Sequence, residues 1–298
     1  MKMDRRQQLI DVFEDTQRFY AQNPLLSRAM QSSRTATKLY EAEDYPNIPD
    51  APEMGGSVIV TKHKTFEAAM KIHAEHHEWK ITVLNFASAT NPGGGVKTGS
   101  SAQEESLCRC STLYPTLTQN WLWECYYQKN RDAHDNRHTD ACIYSPGVVI
   151  CKTDEAWPER MEEKDWVTVD VISCAAPNLR RRPSNAYNSD YGAPTTMTSA
   201  DLYQLHLKRA KHILHIATTN KADALILGAF GCGAFANDPK VVAKAYTDAL
   251  KDYKRYFQYI EFAVYCRADE TENYDAFQMV LKEYESQKNK RFEVENGE

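Results

Sequence analysis

The last third of the chain constrains the fold most. Residues 201–219 place apolar side chains at helical spacing, and Ala224-Leu225-Ile226-Leu227 is a short buried-strand run. Helical periodicity returns over 240–256, opened by Asp238 as a cap and Pro239 at the first helical position. A strand is expected over 259–266 and a helix over 273–284. Strands alternating with helices specify an α/β fold, a mainly parallel or mixed β-sheet with helices on both faces.

The rest of the chain fits the same class. Leu9, Ile10, Phe13 and Phe19 predict an amphipathic helix over 4–21. Residues 23–56 contain Pro24, Pro46, Pro49 and Pro52 and read as an irregular arm without a core of its own. Strands are expected at 58–60, 81–86, around 144–150 and over 166–174, with helices over 65–77 and from about 103. The expected division is a helical or irregular arm over 1–56, a catalytic domain over 57–287 and a frayed polar tail over 288–298. Apolar residues make up 42% of the 298, enough for a sizeable core.

A net charge of −5 argues against binding nucleic acid through clustered phosphate contacts, and no sequence-specific nucleic-acid partner is expected. No run approaches the ~20 apolar residues of a spanning helix, so no membrane partner is expected. The segment MKMDRRQQLIDVFEDTQRFY lacks an apolar signal core. The expected compartment is cytoplasmic, or nuclear in a eukaryote. The eight cysteines follow no disulfide or zinc grammar and read as reduced thiols packed as small apolar groups.

Two glycine-rich loops follow apolar strands, where open α/β sheets hold ligands. One is Asn91-Pro92-Gly93-Gly94-Gly95, running on to Gln103-Glu104-Glu105. The other is Gly228-Ala229-Phe230-Gly231-Cys232-Gly233-Ala234-Phe235, followed by Ala236 and Asn237. Glycines admit a ligand close to the backbone, and their N–H groups can form an anion nest. The second loop also leads to a helix N-terminus, which favours a phosphate. Familiar nucleotide grammars fit poorly. A P-loop needs Lys after its final glycine, but Ser100 follows Gly99. A dinucleotide fingerprint at Gly231-x-Gly233-x-x-Ala236 needs an acid roughly 20 residues on at the end of the next strand, but that strand ends near Cys266, well beyond, and Asp248 and Asp252 fall inside a helix.

Glu104 and Glu105 are the candidate chemical groups. A helix start favours ionised carboxylates, whereas a neighbouring carboxylate or a bound diphosphate raises a pKa, so one of the pair can serve as a general acid. Two acids that merely satisfy a helix dipole are the bland alternative. Other groups are weighed the same way. His134, His138 and Cys142 could share a helix face as zinc ligands, but a solvated surface is expected. His73, His76 and His77 read as a polar helix face. Arg180-Arg181-Arg182 could meet a polyanion or form an exposed basic turn. WLWECYY, 121–127, could stack bases, and core packing is favoured. No metal or cofactor is expected.

The string NFASATNPGGGVKTGSSAQEESLCRCSTLY resembles the signature of the microbial-type poly(ADP-ribose) glycohydrolases. These are macrodomain proteins marked by three glycines, a short spacer (seven residues here, Val96 to Ala102) and Gln-Glu-Glu. YSPGV from 144, VISCAAPN ending at Asn178 and GAFGCGAFANDP from 228 extend the resemblance over about 80–245. It implies a macrodomain-like mixed β-sheet between helices, with an N-terminal helical arm, binding ADP-ribose or poly(ADP-ribose). By position, Glu105 resembles the acid that protonates the leaving oxygen of the ribose–ribose bond. Glu104 resembles the group holding ribose hydroxyls, and Gln103 orients the pair. Gly94 and Gly95 would pack against the distal ribose and phosphate. Gly231, Cys232, Gly233, Ala234 and Phe235 would form the diphosphate loop, with Phe235 near adenosine and Asn237 in the same loop. Asn91 and Asn178 are ribose or loop-orienting groups. The implied activity is glycosidic hydrolysis releasing ADP-ribose. The alternatives are removal of single ADP-ribose units from protein, or an ADP-ribose reader without turnover.

Overall fold

In the computed structural model, residues 4–52, 55–183 and 193–295 are described, with side chains to 286. Two helices open the chain, α1 (Arg5–Gln22) and α2 (Pro24–Ala36), followed by strands β1 (Lys38–Tyr40) and β2 (Ser57–Thr61). Next come α3 (Thr65–Glu75), β3 (Ile81–Phe86), α4 (Gln103–Cys110), α5 (Tyr114–Leu117) and α6 (Asn120–Leu122). A π-helical turn over Trp123–Tyr127 leads into α7 (Gln128–Ala133). The remainder is β4 (Cys142–Ile150), β5 (Val167–Cys174), α8 (Ser199–Thr219), β6 (Ala224–Leu227), α9 (Pro239–Tyr253), β7 (Tyr259–Ala263) and α10 (Glu272–Glu295).

Among the described residues seven strands form one mixed sheet, ordered β1-β4-β5-β3-β6-β7-β2. β4 runs antiparallel to β1 and β5, and the other pairings are parallel. Strand side chains alternate between faces. Leu84, Ile172, Leu225 and Leu227 meet α8 and α9 through Ile213, Leu214, Val242 and Tyr246. Ile81, Val83, Val171 and Ile226 meet the other layer through Phe66, Ile72, Leu107 and Leu113. Both faces of β3 are therefore buried, and each fully buried Leu or Ile contributes roughly 1.5–3 kcal/mol. Among the described residues no helix is long and apolar enough to cross a membrane.

Two differences from the sequence reading concern the ends. The segment 23–56 is not irregular throughout. The Asn23 side chain accepts from the N–H groups of Leu25 and Leu26, with Pro24 at the first turn, so the Asn-Pro pair starts α2 rather than a coil. β1 then joins the main sheet, with Lys38 opposite Tyr144. The last helix continues past Tyr284 to Glu295, so 288–295 is helical rather than frayed. From Tyr284 to Glu295 the sequence holds no Gly or Pro to stop a helix, and Gly297 follows shortly after.

The opening helix braces the layer that carries Glu104 and Glu105. The Thr16 hydroxyl donates to the carbonyl of Arg109 at 2.6 Å, and buried Lys152 donates to the carbonyl of Val12 at 3.0 Å and pairs with Asp15 at 2.8 Å.

Candidate active site

Parallel strands β3, β5, β6 and β7 end at one edge of the sheet. A cleft of about 1090 Å³ opens there. One wall is the first glycine loop with the start of α4, and another is the loop from β6 to α9.

Gly93 and Gly94 take positive φ in succession, 72° and 57°. At Gly94 this geometry is obligatory for contact as well as for the turn. A Cβ there would stand 2.5 Å from Oε1 of Glu105 and 3.1 Å from Oε2 of Glu104. The missing side chain lets backbone lie directly on both carboxylates. The next amide, of Gly95, donates to Oε1 of Glu105 at 2.8 Å.

The two carboxylates are held differently. Glu104 is 3% exposed; its Oε2 accepts from the Ser88 N–H at 2.8 Å and its Oε1 from Nδ2 of Asn85 at 3.4 Å. Strand alternation turns Asn85 toward the α4 layer, where it also donates to Ser173 at 3.0 Å. Burial, then the charge of Glu105, pushes the Glu104 carboxyl well above its ordinary 4.5, against the pull of its N–H donors. Glu105 has one oxygen on Gly95, while its Oε2 is buried without a hydrogen-bond partner. That Oε2 is the one carboxylate oxygen of the pair left without a protein partner among the described residues. Gln103 fastens this helix start to the sheet. Its Oε1 accepts from the Phe86 N–H at 2.8 Å, and its Nε2 donates to the carbonyl of Leu84 at 2.7 Å and to Thr65 at 3.0 Å.

In the second loop Gly231 has φ 78°, and a Cβ there would stand 2.5 Å from that of Ala176, so only glycine lets the loop pack on the end of β5. Among the described residues the amides of Gly233, Ala234 and Phe235 donate to no protein acceptor, and all three residues line the cleft. They form the concave run of N–H groups suited to an anion. The expected help from the α9 dipole is corrected: the Asp238 carboxylate already accepts from the N–H groups of Lys240 and Val241. Cys232 lines the same wall, and burial raises its thiol pKa, which leaves it a poor nucleophile.

The three asparagines expected at the site lie behind the loops, outside the cleft lining. Asn237 is buried, donating to the carbonyls of Pro177, Gly231 and Phe235, while its Oδ1 meets Nε2 of His206 at 2.8 Å. Asn178 accepts from Arg180 and donates to the carbonyl of Pro183. Asn91 accepts from Arg131. Each orients a loop. Of the arginine run, Arg180 alone borders the cleft, beside the Phe235 ring, and Arg181 and Arg182 are exposed.

His134, His138 and Cys142 share no helix face. His134 ends α7 with φ 48°, His138 sits in the following loop, and Cys142 is buried in β4. No metal-ligand cluster occurs among the described residues. The expectation of a solvated surface is corrected at His138, which is half-buried between the Ala176 carbonyl, 2.9 Å from its Nδ1, and the Phe235 ring. WLWECYY divides: Leu122, Tyr126 and Tyr127 are core, while Trp121 and Trp123 are exposed.

Several contributors went unread in the sequence. Arg109, 3% exposed, follows Glu105 by four residues and donates to the Ser100 carbonyl at 2.6 Å, tying the end of the first loop to α4. Burial lowers its pKa, and the charge of Glu105 opposes that shift. The Glu-to-Arg spacing of four on a helix was the available signal. Lys64 and Asp154 line the cleft where their residues meet the start of α3, and Arg6 reaches it from α1.

The microbial-type PARG catalytic domain matches residues 8–153. A poly(ADP-ribose) glycohydrolase from Thermomonospora curvata is similar at 26% identity, covering 92% of this chain and all of that one, with a TM-score of 0.78. The same enzyme bound to the inhibitor ADP-HPD matches at 28% identity over 92% and 99% of the two chains, with a TM-score of 0.76. The Deinococcus radiodurans enzyme in complex with ADP-ribose is 31% identical, over 85% of this chain and 97% of that one, with a TM-score of 0.71. No curated protein sequence matches. The 31% identity over nearly all of the Deinococcus chain, joined to the domain match, places this chain in the family of microbial-type poly(ADP-ribose) glycohydrolases.

Proposed function

We propose that the chain hydrolyses the ribose–ribose glycosidic bond of poly(ADP-ribose) and releases ADP-ribose. The observation that carries this is the carboxylate pair lying directly under the Gly94 backbone, at the edge of a cleft whose opposite wall presents free amides. An ADP-ribose unit fits with its diphosphate on the amides of Gly233, Ala234 and Phe235 and its distal ribose against Gly94 and Gly95. Phe235 offers an aromatic face to the adenosine end, and Arg180 adds positive charge beside it. Glu104, fixed by Ser88 and Asn85, orients the ribose hydroxyls.

Cleavage at C1″ develops oxocarbenium character and needs a proton on the leaving oxygen. Glu105 supplies it from Oε2, the C1″–O bond breaks with its electron pair on the leaving oxygen, and water adds at C1″, losing a proton to the Glu105 carboxylate and restoring the acid. Both carboxylates sit beneath the same turn, so the opposed pair of many glycosidases is replaced by a same-side pair. The macrodomain relationship and a cytoplasmic location belong to the same reading, the latter supported by buried free thiols such as Cys108 and Cys110.

The test sets labelled poly(ADP-ribose) beside a mono-ADP-ribosylated protein, with the parent and Glu105→Gln. Release of ADP-ribose from polymer by the parent, at least 10²-fold slower in the variant, is expected. Turnover of the protein conjugate alone, or of neither, refutes the reading.

A further inference from the structure

A second cavity, of about 490 Å³, lies behind the same turn. Gly94 lines both it and the cleft, so a single glycine separates this cavity from Glu104 and Glu105. Its walls differ from those of the cleft. They carry the cation of Lys97, the amide side chains of Asn91, Gln119 and Asn120, the rings of Tyr114 and Trp123, and no carboxylate.

Trp123 is the distinctive wall. It is 37% exposed, although Tyr126 and Tyr127 in the same run are buried. The π-helical turn that starts at Trp123 inserts an extra residue into the helical repeat, and such turns recur at functional sites. The ring is also tied to the first glycine loop. Arg131 lies 4.7 Å from its centroid, donates to the carbonyl of Thr90 at 2.8 Å and donates to the side chain of Asn91. Tyr127 packs near-parallel to it at 6.3 Å. These contacts hold the ring in place, and its exposed part lines the cavity. Lys97 stands 5.6 Å from the Tyr114 ring and has no carboxylate partner among the described residues.

The chemistry of the substrate supplies the occupant. In the polymer, the oxygen that leaves C1″ belongs to the adenosine ribose of the neighbouring unit. The group nearest the scissile bond on the leaving side is therefore an adenosine, followed by a diphosphate. Aromatic face, amides and one unpaired cation match that order. We propose that this cavity is the leaving-side subsite, holding the departing unit with adenine on Trp123 and diphosphate near Lys97. The inference rests on the poly(ADP-ribose) reading above and adds to it where the second unit binds.

The experiment uses Glu105→Gln to stop turnover and compares the affinities of ADP-ribose and of the ADP-ribose dimer by calorimetry. ADP-ribose fills the cleft alone, whereas the dimer reaches both cavities. The dimer is expected to bind about tenfold tighter, within what one base–aromatic stack supplies. Adding Trp123→Ala should remove most of that margin, Trp123→Phe should keep most of it, and Lys97→Gln should weaken its dependence on salt. A dimer no tighter than ADP-ribose, or a margin intact in Trp123→Ala, overturns the subsite. Equal weakening of both ligands by Trp123→Ala also overturns it, because the ring then acts only through the glycine loop. Failure to bind either ligand refutes the glycohydrolase reading itself.

Discussion

Gly94→Ala tests whether the glycine turn sets the position of the acid. Alanine at φ 57° costs about 1–2 kcal/mol from backbone strain alone. Its Cβ would arrive 2.5 Å from Oε1 of Glu105, and ordinary contact begins near 3.4 Å, so carboxylate and turn must separate by roughly 0.9 Å. That motion also pulls against the 2.8 Å bond from the Gly95 N–H. A misplacement near 1 Å at a reacting group can cost about 10² in rate. The variant should therefore melt about 2–8 °C lower and cleave poly(ADP-ribose) about a hundredfold more slowly. Single-turnover hydrolysis, read beside a thermal melt, separates the two effects. A variant that melts lower but cleaves within threefold of the parent would show that the reacting carboxylate does not sit under this turn.

Gly233→Val should fold like the parent, since a Cβ at Gly233 meets nothing within 4 Å, yet it should weaken ADP-ribose at least tenfold, about 1.4 kcal/mol, by crowding the amides; unchanged affinity by calorimetry removes this loop from the site. Asn237→Ala should cost about 2–4 kcal/mol, seen as a lower denaturant midpoint, because it strips hydrogen bonds from three carbonyls and His206. Glu104 binds its proton more tightly folded than unfolded, so stability is highest at low pH in its titration and is lost as pH rises from about 4.5 through the raised folded value. Glu104→Gln should flatten that fall in a series of melts, and an unchanged slope contradicts the raised carboxyl. Treatment with EDTA should leave turnover intact, whereas a loss reversed by zinc would require a metal role.

Much of the fold was legible because burial imposes periodicity. β6 appears as an unbroken apolar run, and β3 as one interrupted by Thr82 and Asn85, because both faces of a central strand are covered. Asp238 and Pro239 announced α9 through local rules, and the structure keeps them. The same rules were available at Asn23-Pro24, but three later prolines drew the whole segment toward coil. β1 could not be read at all. Its three residues carry too short a pattern, and its place at the sheet edge comes from pairing with β4, over a hundred residues away in sequence.

The site divides along the same line. Glu104, Glu105 and the glycines were visible because their residue types are costly unless a turn or a reaction needs them. The asparagines left two readings open, ribose contact or loop orientation, since a buried amide that satisfies loop carbonyls is chemically identical to one that meets a ligand. Only geometry tells them apart, and Asn237 has its side-chain groups turned to the protein. Arg109 was hidden for the opposite reason. An arginine on a short helix reads as surface, and its burial depends on α1 closing over α4 from a distant part of the chain. Arg109 lies one turn beyond Glu105 on α4 and holds the end of the first loop at the Ser100 carbonyl. The N-terminal helix therefore packs on the layer that carries Glu105, and its Arg6 lines the cleft.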